Sequence, residues 1–158
     1  MIVRVYLSAK TGAEITSLRT CTAIARCGLE GDRYANRTGF YSGVVEWDAH
    51  ITLMEIEPFE ALEESHGCKL DPKILRRNLI TRGVRLSDLI GRDFRVGSEV
   101  ILRGRKAWPP CAHIVKQTGR KEIFQYLARD TGIGADIVVG GSITLGDTVS
   151  VLPTNTEV

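Results

Sequence analysis

A chain of 158 residues with 43% hydrophobic and 25% charged side chains is able to bury roughly 70% of its unfolded surface, enough for a core without disulfides or a structural metal. Disorder is excluded as the main state, and no apolar run approaches the roughly 20 residues of a membrane-spanning helix. A net charge of +2, from 21 basic and 19 acidic residues, excludes a strongly basic nucleic-acid binder.

The predicted elements begin with a strand over residues 2–7 (IVRVYL), with Val3, Val5 and Leu7 on one face. Arg4 interrupts the apolar run, and no small-residue cleavage site follows it. The segment therefore reads as a strand rather than a signal peptide, and a cytoplasmic protein is expected. Residues 20–26 alternate weakly and form a second strand. Residues 34–49 mix Gly, Asn and Ser with aromatics and read as a long loop, with a short strand near Val44 and Val45. A strand over His50–Met54 leads to a helix from Pro58 to His66, with Phe59, Leu62 and His66 on one face and Gly67 as its stop. Asp71-Pro72 caps a short helical turn that runs through Arg76, and Asn78–Thr81 is the next strand. Another single turn covers 87–91. Residues 93–107 predict two strands around Gly97-Ser98, and 120–130 predict the clearest helix, with Ile123 and Leu127 on one side. Three short strands end the chain, with hairpin turns at Gly140-Gly141 and Gly146-Asp147.

Val, Ile and Thr total 40 residues, which favours strands. No repeat or linker is present. Many short strands with few helices predict a mainly β fold over residues 1–158, a single closed β-barrel decorated with two to four short helices. Closure would remove the exposed strand edges.

Three segments carry candidate chemistry. The basic residues are 15 Arg and 6 Lys, and Arg is suited to bidentate recognition of carboxylates and phosphates. The cysteines at 21, 27, 68 and 111 form no C-x-x-C pair and have no His at zinc-finger spacing, so they read as free thiols with neither zinc nor haem expected. In Gly28-Leu-Glu-Gly31-Asp32-Arg33 the glycines allow a tight turn, from which Asp32 orients Arg33 toward an anion; a tight turn with a surface salt bridge explains the same residues. In Trp108-Pro-Pro-Cys111-Ala-His113 two prolines preset the direction of Cys111. Arg103, Arg105 and Lys106 precede it and His113 follows. Nearby cations stabilise a thiolate, whereas a lone Cys is also a common small core residue. Residues 76–82 set three Arg around Asn78, a grip for an oxyanion or a pterin-like ring, or a solvated turn. His50 and His66 read as structural.

In order and spacing, GLEGDR at 28–33, ITLMEIEPFEAL at 51–62, residues 67–97, PPCAHI at 109–114 and GIGADIVVGGSITLGDTV at 132–149 resemble the MOSC domain, the module named after the C-terminal part of molybdenum cofactor sulfurases. The resemblance implies a closed β-barrel in which Cys111 is the functional cysteine. It would carry sulfur as a persulfide, or ligate the metal of a bound molybdenum cofactor. By position, Gly31, Asp32 and Arg33 would form a phosphate- or pterin-facing turn. Arg77 and Asn78 would stand at the cofactor pocket with His113 beside the cysteine. The family often has Arg-Gln before the strand at 51–53, where this chain has Ala49-His50. Pyridoxal phosphate binding is associated with the family, but no second domain for pyridoxal phosphate, flavin or iron–sulfur chemistry is expected here.

The leading expectation is a stand-alone binding or sulfur-carrier module, partnered by a sulfur donor such as a cysteine desulfurase. One alternative is a molybdenum-dependent reductase of N-hydroxylated substrates fed by a separate electron-transfer protein. The other is a nucleotide- or RNA-binding barrel, against which the near-neutral charge and the lack of an aromatic stripe argue. Neither a nucleic-acid nor a membrane partner is expected.

Overall fold

The computed structural model describes residues 1–39, 49–129 and 132–154. The expected strand near Val44 and Val45 lies outside them. The fold is mainly β, with strands β1 (Ile2–Leu7), β2 (Thr16–Leu18), β3 (Thr20–Ile24), β4 (Gly28–Leu29), β5 (Ile51–Glu55), β6 (Leu79–Thr81), β7 (Asp93–Val96), β8 (Val100–Ala107), β9 (Ile133–Val139), β10 (Gly141–Thr144) and β11 (Val149–Val151). The helices are α1 (Glu57–His66), α2 (Ala112–Thr118) and α3 (Glu122–Leu127), with single 3₁₀ turns at Pro72–Leu75 and Leu86–Leu89.

The strands do not pair into the single closed ring expected from the sequence. Among the described residues they form an eight-stranded sheet in the order β11-β7-β8-β9-β5-β6-β1-β2 and a separate three-stranded sheet, β10-β3-β4. Backbone bonds outside the ladders join the two, from Arg26 N–H to the Ile137 carbonyl (3.0 Å) and from Gly146 N–H to the Ile2 carbonyl (2.8 Å). The tail turns are accordingly not hairpins. β9 lies between β5 and β8, β10 pairs with β3, and β11 pairs with β7, so each Gly-containing turn sends the chain to a new partner.

β5 and β6 pair in parallel, and a parallel pair requires a crossover. That crossover is α1 and the turn at Pro72–Leu75. Gly67 ends α1 in the left-handed conformation (φ 62°) and donates its N–H to the Glu63 carbonyl, and the Asp71 side chain caps the turn by accepting from Lys73 N–H. α1 buries Phe59 and Leu62, but His66 is exposed against the Tyr126 ring rather than on the buried face.

Two apolar cores result. One lies between the sheets and includes Ile2, Val5, Ile51, Leu53, Leu79, Phe94 and Leu102. The other lies under the helices and includes Tyr6, Met54, Phe59, Leu75, Ile80, Ile114 and Leu127. β5 feeds both, which explains why all five of its residues are buried. On β1 a register shift between Ile2 and Arg4 sends Val3 to the helical core, while Ile2, Val5 and Leu7 face the inter-sheet core. The expected single face Val3-Val5-Leu7 is broken by this bulge.

α2 was not anticipated. Pro109 and Pro110 disguise its start, and Gly119 in the left-handed conformation (φ 67°) separates it from α3, which spans less than the expected 120–130. No helix among the described residues is long and apolar enough to cross a membrane.

Candidate functional site

A cavity of about 160 Å³ opens where the helical core meets the loops at 8–13, 28–38, 75–78 and 108–114. Its walls include Thr11, Gly12, Arg33, Tyr34, Arg76, Arg77, Trp108, Cys111, His113 and Gln117. Four residues expected at a site therefore meet: Arg33, Arg77, Cys111 and His113. Gly31, Asp32 and Asn78 do not reach the cavity, for reasons their bonding makes plain.

Gly31 adopts φ 80° and allows the chain to turn so that Asp32 points inward. Asp32 is 1% exposed. Its Oδ1 accepts from Ser8 N–H (3.1 Å) and from Arg33 Nη1 (3.3 Å), and its Oδ2 accepts from Tyr34 N–H (3.1 Å). The carboxylate thus ties β1 to the turn and holds the Arg33 guanidinium, which also donates to the Arg76 carbonyl (2.7 Å) and lies 4.6 Å from the Tyr34 ring centroid. The Asp-Arg pair is a buried device facing a cavity rather than a surface salt bridge.

Asn78 is also buried. Its Oδ1 accepts from Thr52 N–H and from the Thr52 hydroxyl (both 3.0 Å), and its Nδ2 donates to the Tyr6 carbonyl (3.3 Å). The side chain stitches β1 to β5 behind the cavity, and these bonds give it a structural task.

Arg76, expected only as one of the three Arg around Asn78, also lines the cavity. It adopts a left-handed conformation (φ 56°) and sends its Nη2 to the Ser8 hydroxyl (2.7 Å) and the Ala13 carbonyl (2.9 Å). Burial, and then the neighbouring Arg33 charge, lower its pKa from the ordinary arginine value. Only its place in a run of two arginines before Asn78 marked it in the sequence.

Cys111 is half-buried and precedes α2 with an extended backbone (φ −93°, ψ 159°). Its carbonyl accepts from Ile114 N–H (3.1 Å), and it packs against the helical core. The cations around it differ from those expected. Arg103 is engaged by Asp93 (2.6 and 2.8 Å) and Arg105 lies 3.6 Å from Asp136, both on the sheet and away from the cavity. The cavity's charge comes instead from Arg33, Arg76 and Arg77, with no carboxylate among the described residues of its lining. Of the other thiols, Cys21 is buried between the sheets, where burial pushes its pKa up to about 12. His50 is structural, accepting from Ile137 N–H through Nδ1 (3.0 Å). The Ala49-His50 step therefore serves the pairing of β5 with β9.

The MOSC domain matches residues 33–150, most of the sequence and all of the cavity's cysteine and arginine positions. The chain belongs to the MOSC domain family. No curated protein matches it. Among solved structures, this MOSC domain is similar to the YuaD protein from Bacillus subtilis, at 15% identity and a TM-score of 0.69 with 96% of each chain covered. It is also similar to YiiM from Geobacillus stearothermophilus, at 15% identity and a TM-score of 0.67, covering 99% of this chain and 77% of that one. For YiiM from Escherichia coli the identity is 16% and the TM-score 0.62, covering 99% of this chain and 73% of that one. At such identities the likeness is one of fold.

The cavity's donor set fits the cofactor associated with this family. Among the described residues no group of three or more His, Cys, Asp or Glu is placed to hold a metal ion. A metal at Cys111 would take one soft ligand from the protein and bring the remainder with its own organic ligand. The arginines suit an anionic tail, and an anion among them relieves the like-charge crowding at Arg33 and Arg76.

Proposed function

We propose that this MOSC domain binds molybdenum cofactor, or carries sulfur for metal-sulfur cofactor assembly as a persulfide, through Cys111. The observation that supports this is one half-buried thiol opening on a cavity with three arginines and, among the described residues, no acidic side chain in its wall. When bound, the cofactor supplies a metal that favours thiolate donors and an anionic phosphate. Arg33 and Arg76 would hold the anion, Arg77 adds to the positive field, and His113 shares the cavity wall with the thiol. Asp32 keeps Arg33 aimed at the cavity.

In the carrier role the Cys111 thiolate attacks the outer sulfur of a donor persulfide. A new S–S bond forms on Cys111 as the donor's S–S bond breaks, and the donor leaves as a thiolate with no net oxidation. A cysteine desulfurase is the class of partner that presents such a group, and the cytoplasm is the compartment in which these thiols stay reduced.

The test is metal and sulfur analysis of wild-type protein expressed in a cofactor-producing host and in a cofactor-deficient one. Molybdenum from the first host alone supports cofactor binding, and cyanide-labile sulfur after incubation with a desulfurase supports the carrier role. Absence of both would overturn the reading. Arg33→Ala is expected to weaken cofactor retention by roughly 10- to 150-fold, the loss of a charge-assisted contact of about 1.5–3 kcal/mol. Cyanide-labile sulfur on Cys111 should survive that change, and equilibrium dialysis against released cofactor measures the difference.

A further inference from the structure

Arg76 and Arg77 are consecutive, yet they tie opposite walls of the cavity. Arg76 bonds the loop at 8–13 through Ser8 and Ala13. Arg77, 4% exposed, sends Nη1 to the Leu75 carbonyl (3.0 Å) and Nη2 to the carbonyls of Trp108 (3.0 Å) and Pro109 (3.1 Å). All three acceptors are backbone, and two belong to the segment that delivers Cys111.

Trp108 and Pro110 are buried, but the segment has few backbone donors of its own. Trp108 N–H donates to the Gly132 carbonyl (2.9 Å), but the next two residues are prolines and have no N–H to give. The segment cannot continue the β8–β9 ladder, and a planar guanidinium with several fixed donors takes the ladder's place. We infer that Arg77 is a positioning residue, which clamps the Trp108–Pro110 segment and so sets how far the Cys111 thiol projects from the helical core into the cavity. The inference rests on the proposed role of Cys111 for its purpose, though not for its test. It reassigns Arg77, which by family resemblance would contact the cofactor.

A lysine at position 77 keeps the charge but offers a point ammonium that cannot span three carbonyls in the arginine's geometry. The experiment compares wild type and Arg77→Lys, both as full-length protein from a cofactor-deficient host. Iodoacetamide labelling rates are resolved for each cysteine by mass spectrometry. Released from its clamp, the segment opens locally and the half-buried thiol becomes more accessible, so Cys111 labelling is expected to rise about threefold or more. Cys27 and Cys68 should stay within about twofold of wild type, with Cys21 the slowest in both proteins because it remains buried and protonated.

Unchanged Cys111 labelling in a folded variant would overturn the inference. So would an equal rise at all four cysteines, since that reports general loosening. If Arg77→Lys does not fold, the neutral Arg77→Gln removes the charge together with the fork and cannot reach all three carbonyls, and the same selective rise is expected; its absence is equally fatal. Labelling is read without molybdenum or transferred sulfur. Wild-type protein that binds neither would therefore sink the proposed function and leave this result intact, whereas a flat labelling profile would sink only the positioning role.

Discussion

Cys111→Ser is expected to abolish both the molybdenum-bound and the persulfide forms while leaving the fold in place. A hydroxyl nearly matches the thiol in size, and the side chain is half-buried at the margin of the helical core, so stability should change by no more than about 1 kcal/mol. The chemistry changes far more. An alkoxide is a hard ligand where a thiolate is soft, and serine offers no sulfur to accept a sulfane atom. Molybdenum and cyanide-labile sulfur should each fall below about a tenth of the wild-type content, since the cavity keeps its arginines but loses its soft donor. Far-UV circular dichroism and the melting midpoint would establish that the variant is folded. Equal molybdenum and equal labile sulfur in wild type and Cys111→Ser would remove Cys111 from the function and leave the cavity with an unassigned ligand.

How much of this was legible in the sequence depended on whether a residue's role is local. Asp71-Pro72 and Gly67 act within a few residues of themselves, and the cap and stop they imply are present. The alternation at 20–24 and the turn at Gly97-Ser98 are local for the same reason. Roles set by distant partners were hidden. β4 has two residues and no period of its own, and it becomes a strand by pairing with β3. The glycines at 140–141 and 146 look like hairpin turns, but β10 pairs with β3, more than a hundred residues earlier in the chain. Closure of the sheet is a global property of the same kind, and a wealth of short strands is compatible with two sheets as well as with one barrel. At the site, the prolines before Cys111 stand in the cavity wall with it. The sequence could not say which of Arg76, Arg77 and Asn78 would turn toward the cavity, because the left-handed backbone at Arg76 redirects the chain there.

Asn78 is where the family resemblance and the bonding disagree most, and its substitution separates the two. Its side chain satisfies Thr52 N–H, the Thr52 hydroxyl and the Tyr6 carbonyl in the space between β1 and β5, and it is 1% exposed. Asn78→Ala takes the amide partner from a buried N–H and a buried carbonyl. Each stranded group costs about 1–3 kcal/mol, giving a combined loss of about 2–6 kcal/mol. For a domain of this size that corresponds to a fall in melting temperature of roughly 4–24 °C. Asn78→Asp keeps an acceptor for Thr52 but loses the donor to Tyr6 and buries a charge, so it should be no better tolerated. Urea denaturation of both variants, read beside their cofactor content at a temperature where they remain folded, distinguishes the alternatives. A structural Asn78 predicts a large loss of stability with cofactor still bound by the folded fraction. Wild-type stability with cofactor lost would return Asn78 to the cavity wall and make it a ligand contact after all.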